Sequence, residues 1–208
     1  MFRFILSLLG IYKSSKTRQQ LAVEPARHQQ PRGQTAYRTS LDRSYTPKPM
    51  AASGAVIRER IPSLPKFRTV YIIDGDTVIV SNGRTQIRVR LDSIDCPEDG
   101  QHWGDTAKYG LIKLIGRQHL HLELHGEDVY GRTLATIYVW HRQKNQWLNV
   151  NERMVILGHA WVMRQFYDHL PEDRREQLNR MEHWARSKKV GLWSTSNPVP
   201  PWHWRKGG

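Results

Sequence analysis

The chain has 208 residues, is 38% hydrophobic and carries a formal net charge of +13. That length holds one ordinary domain with appendages, the low apolar content excludes a chain packed from end to end, and the charge favours a polyanionic partner. A single cysteine, Cys96, excludes an intramolecular disulfide and a cysteine-rich zinc site.

Residues 1–13 place Arg3 before an apolar run from Phe4 to Tyr12. The run predicts a signal-peptide core or a peripheral anchor, because it is too short to span a bilayer. Export with weak membrane association through this end is therefore the expected location, although Lys13 and Lys16 directly behind the run count against it. Residues 14–65 are rich in Gln, Arg, Ser, Thr and Pro without apolar periodicity, which predicts a flexible basic linker. Residues 1–65 hold 11 Lys+Arg against 3 Asp+Glu, leaving 21 against 16 for the rest. Any phosphate binding beyond residue 65 must therefore come from placed arginines rather than bulk charge.

The stretch "FRTVYIIDGDTVIVSNGRTQIRVRLDSID" reads as β-branched strands, with Asn82-Gly83 suited to a tight hairpin turn. Apolar spacing predicts a helix over 105–115, stopped by Gly116. "HLHLELH" and "RTLATIYVW" predict two strands joined by "GEDVYG", and helical spacing returns over 150–158 and 172–188. Short antiparallel strands with few helices predict an α+β fold, a five-stranded OB-fold β-barrel with about three helices. The domain is expected over 66–195 as a monomer, with Trp184 and Trp193 packing the last helix. The role of the Pro/Trp-rich basic tail, 196–208, stays open between folding back, touching nucleic acid and engaging another protein.

Three segments carry chemistry. In "IIDGDTVIV", read as strand, Asp74 and Asp76 share a face and Gly75 permits close approach. An isolated Asp-Gly-Asp is more often a solvated loop. In "RVRLDSIDCPEDG", Arg88 and Arg90 share a face, and Asp95 and Glu98 follow in a loop stiffened by Pro97. Hard cations take several oxygen ligands, so Asp76, Asp95 and the Thr77 carbonyl make an incomplete calcium site with room for water and substrate. In "EDVYGRTLATIYV", Arg132 offers a planar, permanently charged donor to a phosphoryl group. His119 and His121 alternate onto one face without a third ligand and are assigned no zinc. Cys96, beside several acids, is assigned to packing rather than nucleophilic chemistry.

Together "IDGDTV", "VRLDSIDCPE", "YGRTLATIYV", "LNVNERMVILGHAWV" and "KKVGLWS" resemble the staphylococcal nuclease (thermonuclease) family over about residues 67–195. The resemblance implies a calcium-dependent phosphodiesterase on an OB-fold that cuts DNA and RNA and leaves 3′-phosphates. It implies that Asp76 and Asp95, with the Thr77 carbonyl, hold Ca2+ and that Asp74 supports them. It further implies that Glu98 orients or deprotonates the attacking water, that Arg90 and Arg132 grip the scissile phosphate, and that Tyr130 contacts a substrate phosphate. Where the family presents a base-stacking tyrosine this chain reads Met163 to Tyr167, so Phe166 or Tyr167 is the expected substitute; Val129 stands where some relatives have lysine. Two other classes remain: a noncatalytic OB-fold module binding nucleic acid or protein, against which the intact residue set argues, and a membrane-associated protein acting through its basic tail.

Overall fold

A computed structural model describes residues 59–207. The expected signal-peptide core and nearly all of the expected linker lie outside the described residues. In chain order the elements are β1 (Lys66–Ile72), β2 (Thr77–Ser81), β3 (Gln86–Leu91), β4 (Ile94–Asp95), α1 (Gly104–Ile115), β5 (His119–Glu127) and β6 (Thr133–His141), then β7 (Gln146–Asn149), α2 (Val150–Ile156), β8 (Trp161–Val162), α3 (Glu172–Ser187) and α4 (Pro201–Gly207).

Sheet closure is the feature that positions everything else. β1 pairs antiparallel with β2 and with β5, β2 with β3, and β5 with β6. The circuit closes through a parallel ladder, Val89–Leu91 of β3 against Thr133–Ala135 of β6. Five strands thus form a closed ring of ladders, which leaves none of them as a free edge. Short strands in this order predict antiparallel pairing; the closing pair is parallel because β3 and β6 both run away from the same end of the ring. β7 extends β6, and β4 and β8 form a separate two-stranded ladder.

The β2–β3 turn is made by Asn82, whose Oδ1 accepts the amides of Arg84 and Thr85 at 2.9 Å each while Gly83 takes a φ of +90°. The strands bury Val78, Val80, Val89, Leu91, Leu120, Leu122, Ala135 and Ile137. α1 adds Ala107, Leu111 and Ile115, spaced four apart on one helical face. Each fully buried Leu, Ile or Val of this set contributes roughly 1.5–3 kcal/mol. A second cluster joins Trp161, Ala185, Leu192 and Trp193, with Trp103, Trp184, Val190 and Trp202 packed against it, so Trp184 and Trp193 do pack the last long helix.

Three expectations need correction. Ile61 is 1% exposed within a short 3-10 turn, Ile61–Ser63, so packing begins before Phe67 and inside the expected linker. There are four α-helices among the described residues rather than about three, because part of the expected tail forms α4. Asp74 and Asp76 lie in the turn between β1 and β2 rather than in a strand. Asp74 side-chain bonds to its own backbone neighbours outcompete the ladder there. No helix among the described residues is long and apolar enough to cross a membrane.

Candidate active site

The β1–β2 turn organises the acids. Asp74 Oδ1 accepts the backbone amides of Asp76 at 2.9 Å and Thr77 at 2.7 Å, which curls the turn and directs Asp76 inward. Asp76 Oδ2 accepts the Cys96 amide at 2.6 Å, and its Oδ1 accepts the Thr77 hydroxyl at 3.1 Å. Gly75 makes this approach possible: a Cβ there would stand 2.7 Å from Cys96 Cβ and 2.9 Å from Ala107 Cβ.

Register then supplies the first arginine. Thr77 pairs with Arg90 across β2 and β3, and alternation turns Val89 and Leu91 into the core and Arg90 outward toward the turn. The Arg90 guanidinium bridges Asp76 Oδ2 and Asp95 Oδ1, the latter at 2.6 Å. Asp95, 1% exposed, is held by the β4–β8 ladder opposite Trp161. Burial opposes the Arg90 charge, and Asp76 and Asp95 together overcome it, holding the guanidinium protonated above its ordinary pKa. Burial, reinforced by the neighbouring Asp76 charge, raises Asp74 to about 6. Burial followed by the Asp76 charge also pushes the Cys96 thiol well up, which agrees with a packing role.

Glu98 follows in the same loop. Its amide donates to Gln101 Oε1 at 3.0 Å, and α1 starts so close that a Cβ on Gly104 would lie 2.1 Å from the Glu98 carbonyl oxygen. The Glu98 carboxylate is paired with Arg205 of α4, which also reaches Asp95 Oδ2 at 3.0 Å.

Arg132 stands one residue before Thr133, which pairs with Val89, so the closing ladder brings it beside the strand that carries Arg90. Its guanidinium is held elsewhere: Asp128 Oδ2 accepts Arg132 Nε at 2.7 Å, and Oδ1 accepts the amides of Tyr130 and Arg132. Although burial opposes its charge, these bonds hold Asp128 below its usual carboxylate pKa. Tyr130 is 80% exposed, with the Arg132 guanidinium 5.4 Å from its ring centroid. Phe166 is also exposed, whereas the Tyr167 hydroxyl accepts Asn179 Nδ2 of α3 at 3.2 Å.

The structure therefore gathers Asp74, Asp76, Arg90, Asp95 and Glu98, and brings Arg132 to the neighbouring strand. It also gives two of the expected site residues partners of their own. The Thr77 carbonyl accepts the amides of Ile73 at 2.9 Å and Asp74 at 3.4 Å, so its lone pairs close the turn and Thr77 serves Asp76 through its hydroxyl instead. The Tyr167 hydroxyl is tied to α3, while the Phe166 ring is exposed. Asp128, Gln101 and Arg205 were missed. "EDVYGR" does carry an acid four residues before Arg132, whereas nothing local marks Arg205.

The donor set fits a hard cation. Asp76 and Asp95 are buried carboxylates whose facing oxygens already share a guanidinium, and oxygen-only donors of this charge suit calcium or magnesium. A different group, Asp92, His125 and His169, has ligand-type atoms within 4.8 Å of one another. Its atoms are already bonded: His169 Nε2 to Asp92 Oδ2 and His125 Nε2 to the Thr136 hydroxyl, each at 2.9 Å. His119 and His121 have unrelated partners, Arg68 and the Ile61 carbonyl.

Residues 88–195 match the family model for staphylococcal nuclease homologues. The chain is similar to Protein ParB of Escherichia coli, 38% identical over 169 residues, covering 79% of this chain and 93% of that protein. It is similar to the micrococcal nuclease of Shigella flexneri, 39% identical over 74% of this chain and 90% of that one. An uncharacterized endonuclease of Haemophilus influenzae is 39% identical over 67% of this chain and 72% of its own length.

Proposed function

The chain belongs to the staphylococcal nuclease family, and from that premise we propose that this phosphodiesterase is a calcium-dependent endonuclease of DNA and RNA that leaves 3′-phosphate ends. The observation that carries the calcium reading is the buried Asp76–Arg90–Asp95 arrangement, two hard-oxygen donors brought to one permanently charged guanidinium. Asp76 and Asp95 would hold the ion, which supplies, when bound, positive charge against the phosphoryl oxygens.

The chain's own residues divide the remaining work. Glu98 takes the proton of the attacking water as the new P–O bond forms in line with the bond to the 5′ oxygen that breaks. Arg90 faces the carboxylates from β3 and places charge against one non-bridging oxygen. Arg132, oriented by Asp128, offers charge toward the leaving oxygen and contributes only as the phosphate displaces it from that partner. Tyr130, exposed on the same turn, contacts a neighbouring phosphate, and Phe166 offers a ring to a base.

The full-length protein is incubated with plasmid, single-stranded DNA and RNA in calcium or in EDTA. Cleavage is expected in calcium alone, with product ends extendable only after phosphatase treatment. Arg90→Ala and Glu98→Ala should each lower the rate by at least about 10²–10³ while keeping the circular dichroism spectrum. Undiminished cutting in EDTA refutes the calcium reading, and retention of nucleic acid without cutting supports a noncatalytic module.

A further inference from the structure

The last ten described residues bring a third arginine to the cleft. Pro201 at the start of α4 is buried, and Trp202 meets Trp161 edge-on at 6.4 Å, so α4 is anchored to the apolar cluster independently of any charge. Ahead of it, Gln101 Nε2 donates to the Val199 carbonyl at 2.6 Å while Gln101 Oε1 accepts the Glu98 amide. One buried glutamine thereby ties the tail to the loop that carries Glu98. From this anchorage Arg205 sends Nη2 to Asp95 Oδ2 at 3.0 Å and Nη1 to Glu98 Oε1.

The guanidinium of Arg205 therefore takes oxygens from two carboxylates with different duties, one assigned to the cation and one to the attacking water. Asp95 is 1% exposed and shared between Arg90 and Arg205. A divalent ion on Asp76 and Asp95 would face Arg205 at close range with like charge, and Asp95 cannot serve both fully. Glu98 Oε1 is likewise occupied by Arg205 Nη1, so the carboxylate is not free to meet a water on that side.

We propose that α4 is a built-in cap of the nuclease site, with Arg205 as a tethered competitor for the cation, so that divalent-ion binding and release of residues 198–207 are thermodynamically linked. The inference rests on the calcium reading above. Linkage is reciprocal: the factor by which an open cap binds the cation more tightly than a closed one is the factor by which the bound ion favours the open cap. Because the cleft binds the ion only when open, the apparent affinity is lowered by the fraction of molecules that are open. Arg205 is itself half-exposed, which keeps the pairing weak enough to release.

Calcium is titrated into metal-stripped full-length protein by calorimetry, without nucleic acid, for the wild type, Arg205→Ala, Arg205→Lys and Trp202→Ala. Arg205→Ala and Trp202→Ala should bind calcium roughly tenfold more tightly, the first by removing the competitor and the second by loosening its anchor. Arg205→Lys should stay near the wild type. In the wild type, hydrogen exchange of residues 198–207 should speed up when calcium is added. Equal calcium affinity in all four proteins, or unchanged exchange in the tail, overturns the cap while leaving the calcium reading intact. Absence of calcium binding in every protein overturns both.

Discussion

Asp74 shows how a single side chain is pulled two ways. Its carboxylate closes the β1–β2 turn through two amides, yet it sits in a part-buried place beside Asp76, and its pKa rises from 3.8 to about 6. The sign follows from linkage: below about pH 4 the group is protonated in both folded and unfolded chains. Between about pH 4 and 6 the unfolded chain has lost the proton while the folded chain keeps it, so stability falls; above pH 6 the loss is complete. A rise of that size corresponds to at most about 3 kcal/mol. Asp74→Asn keeps the accepting Oδ1 and cannot ionise, so urea unfolding in EDTA at pH 4 to 7 should show the wild type losing stability relative to the variant. Parallel curves for the two proteins would mean that Asp74 ionises normally.

At the scale of elements, two buried polar side chains act as joints where backbone ladders cannot reach. Asn151 at the start of α2 accepts the Ile137 amide at 3.1 Å and donates to the carbonyls of Asp92 at 3.0 Å and Ala135 at 3.1 Å, which ties α2 to β6 and to the exit of β3. Glu182 of α3, 2% exposed, accepts the Val162 amide at 3.0 Å and Arg164 Nη2 at 2.6 Å, so the β4–β8 ladder carrying Asp95 is pinned to the helix. Replacing Asn151 with Ala leaves one buried donor and two carbonyls underbonded and should cost roughly 2–4 kcal/mol. Equilibrium urea unfolding measures this, and a change below about 0.5 kcal/mol would show that solvent or neighbouring groups replace all three bonds. Because the same joint holds Asp92, three residues from Asp95, cation affinity should fall along with stability.

For the molecule as a whole, the proposed cation site would couple ion binding to folding, since Asp76 and Asp95 are separated along the chain by the whole of β2 and β3 and meet only when the ring of strands closes. Calcium at a hundred times its dissociation constant should add about 2.7 kcal/mol, which for a domain of this size raises Tm by about 5–10 °C. Thermal unfolding with and without calcium tests it, and Asp76→Asn should abolish the shift. If the wild type melts at one temperature in both conditions, the carboxylates do not hold the ion. Element types were legible in the sequence: α1 falls at Gly104–Ile115 against a predicted 105–115, and α3 at Glu172–Ser187 against 172–188. So were Asp76, Arg90, Asp95 and Glu98 as one constellation, because short motifs carry them. The partners of the Thr77 carbonyl and of the Tyr167 hydroxyl were not legible, since both are chosen by the fold: a turn amide pair in one case and Asn179 in the other.

The amino-acid sequence by itself determined which segments extend, coil or turn and which side chains bear charge, because apolar period, capping and turn chemistry act among neighbours a few residues apart. Only the tertiary structure decided that β3 and β6 close the ring in parallel, that Asp128 orients Arg132, and that Arg205 reaches Asp95 across 110 residues. Those contacts depend on loop closure and packing over long separations, where the winning partner is set by the geometry of the whole ring rather than by any local window.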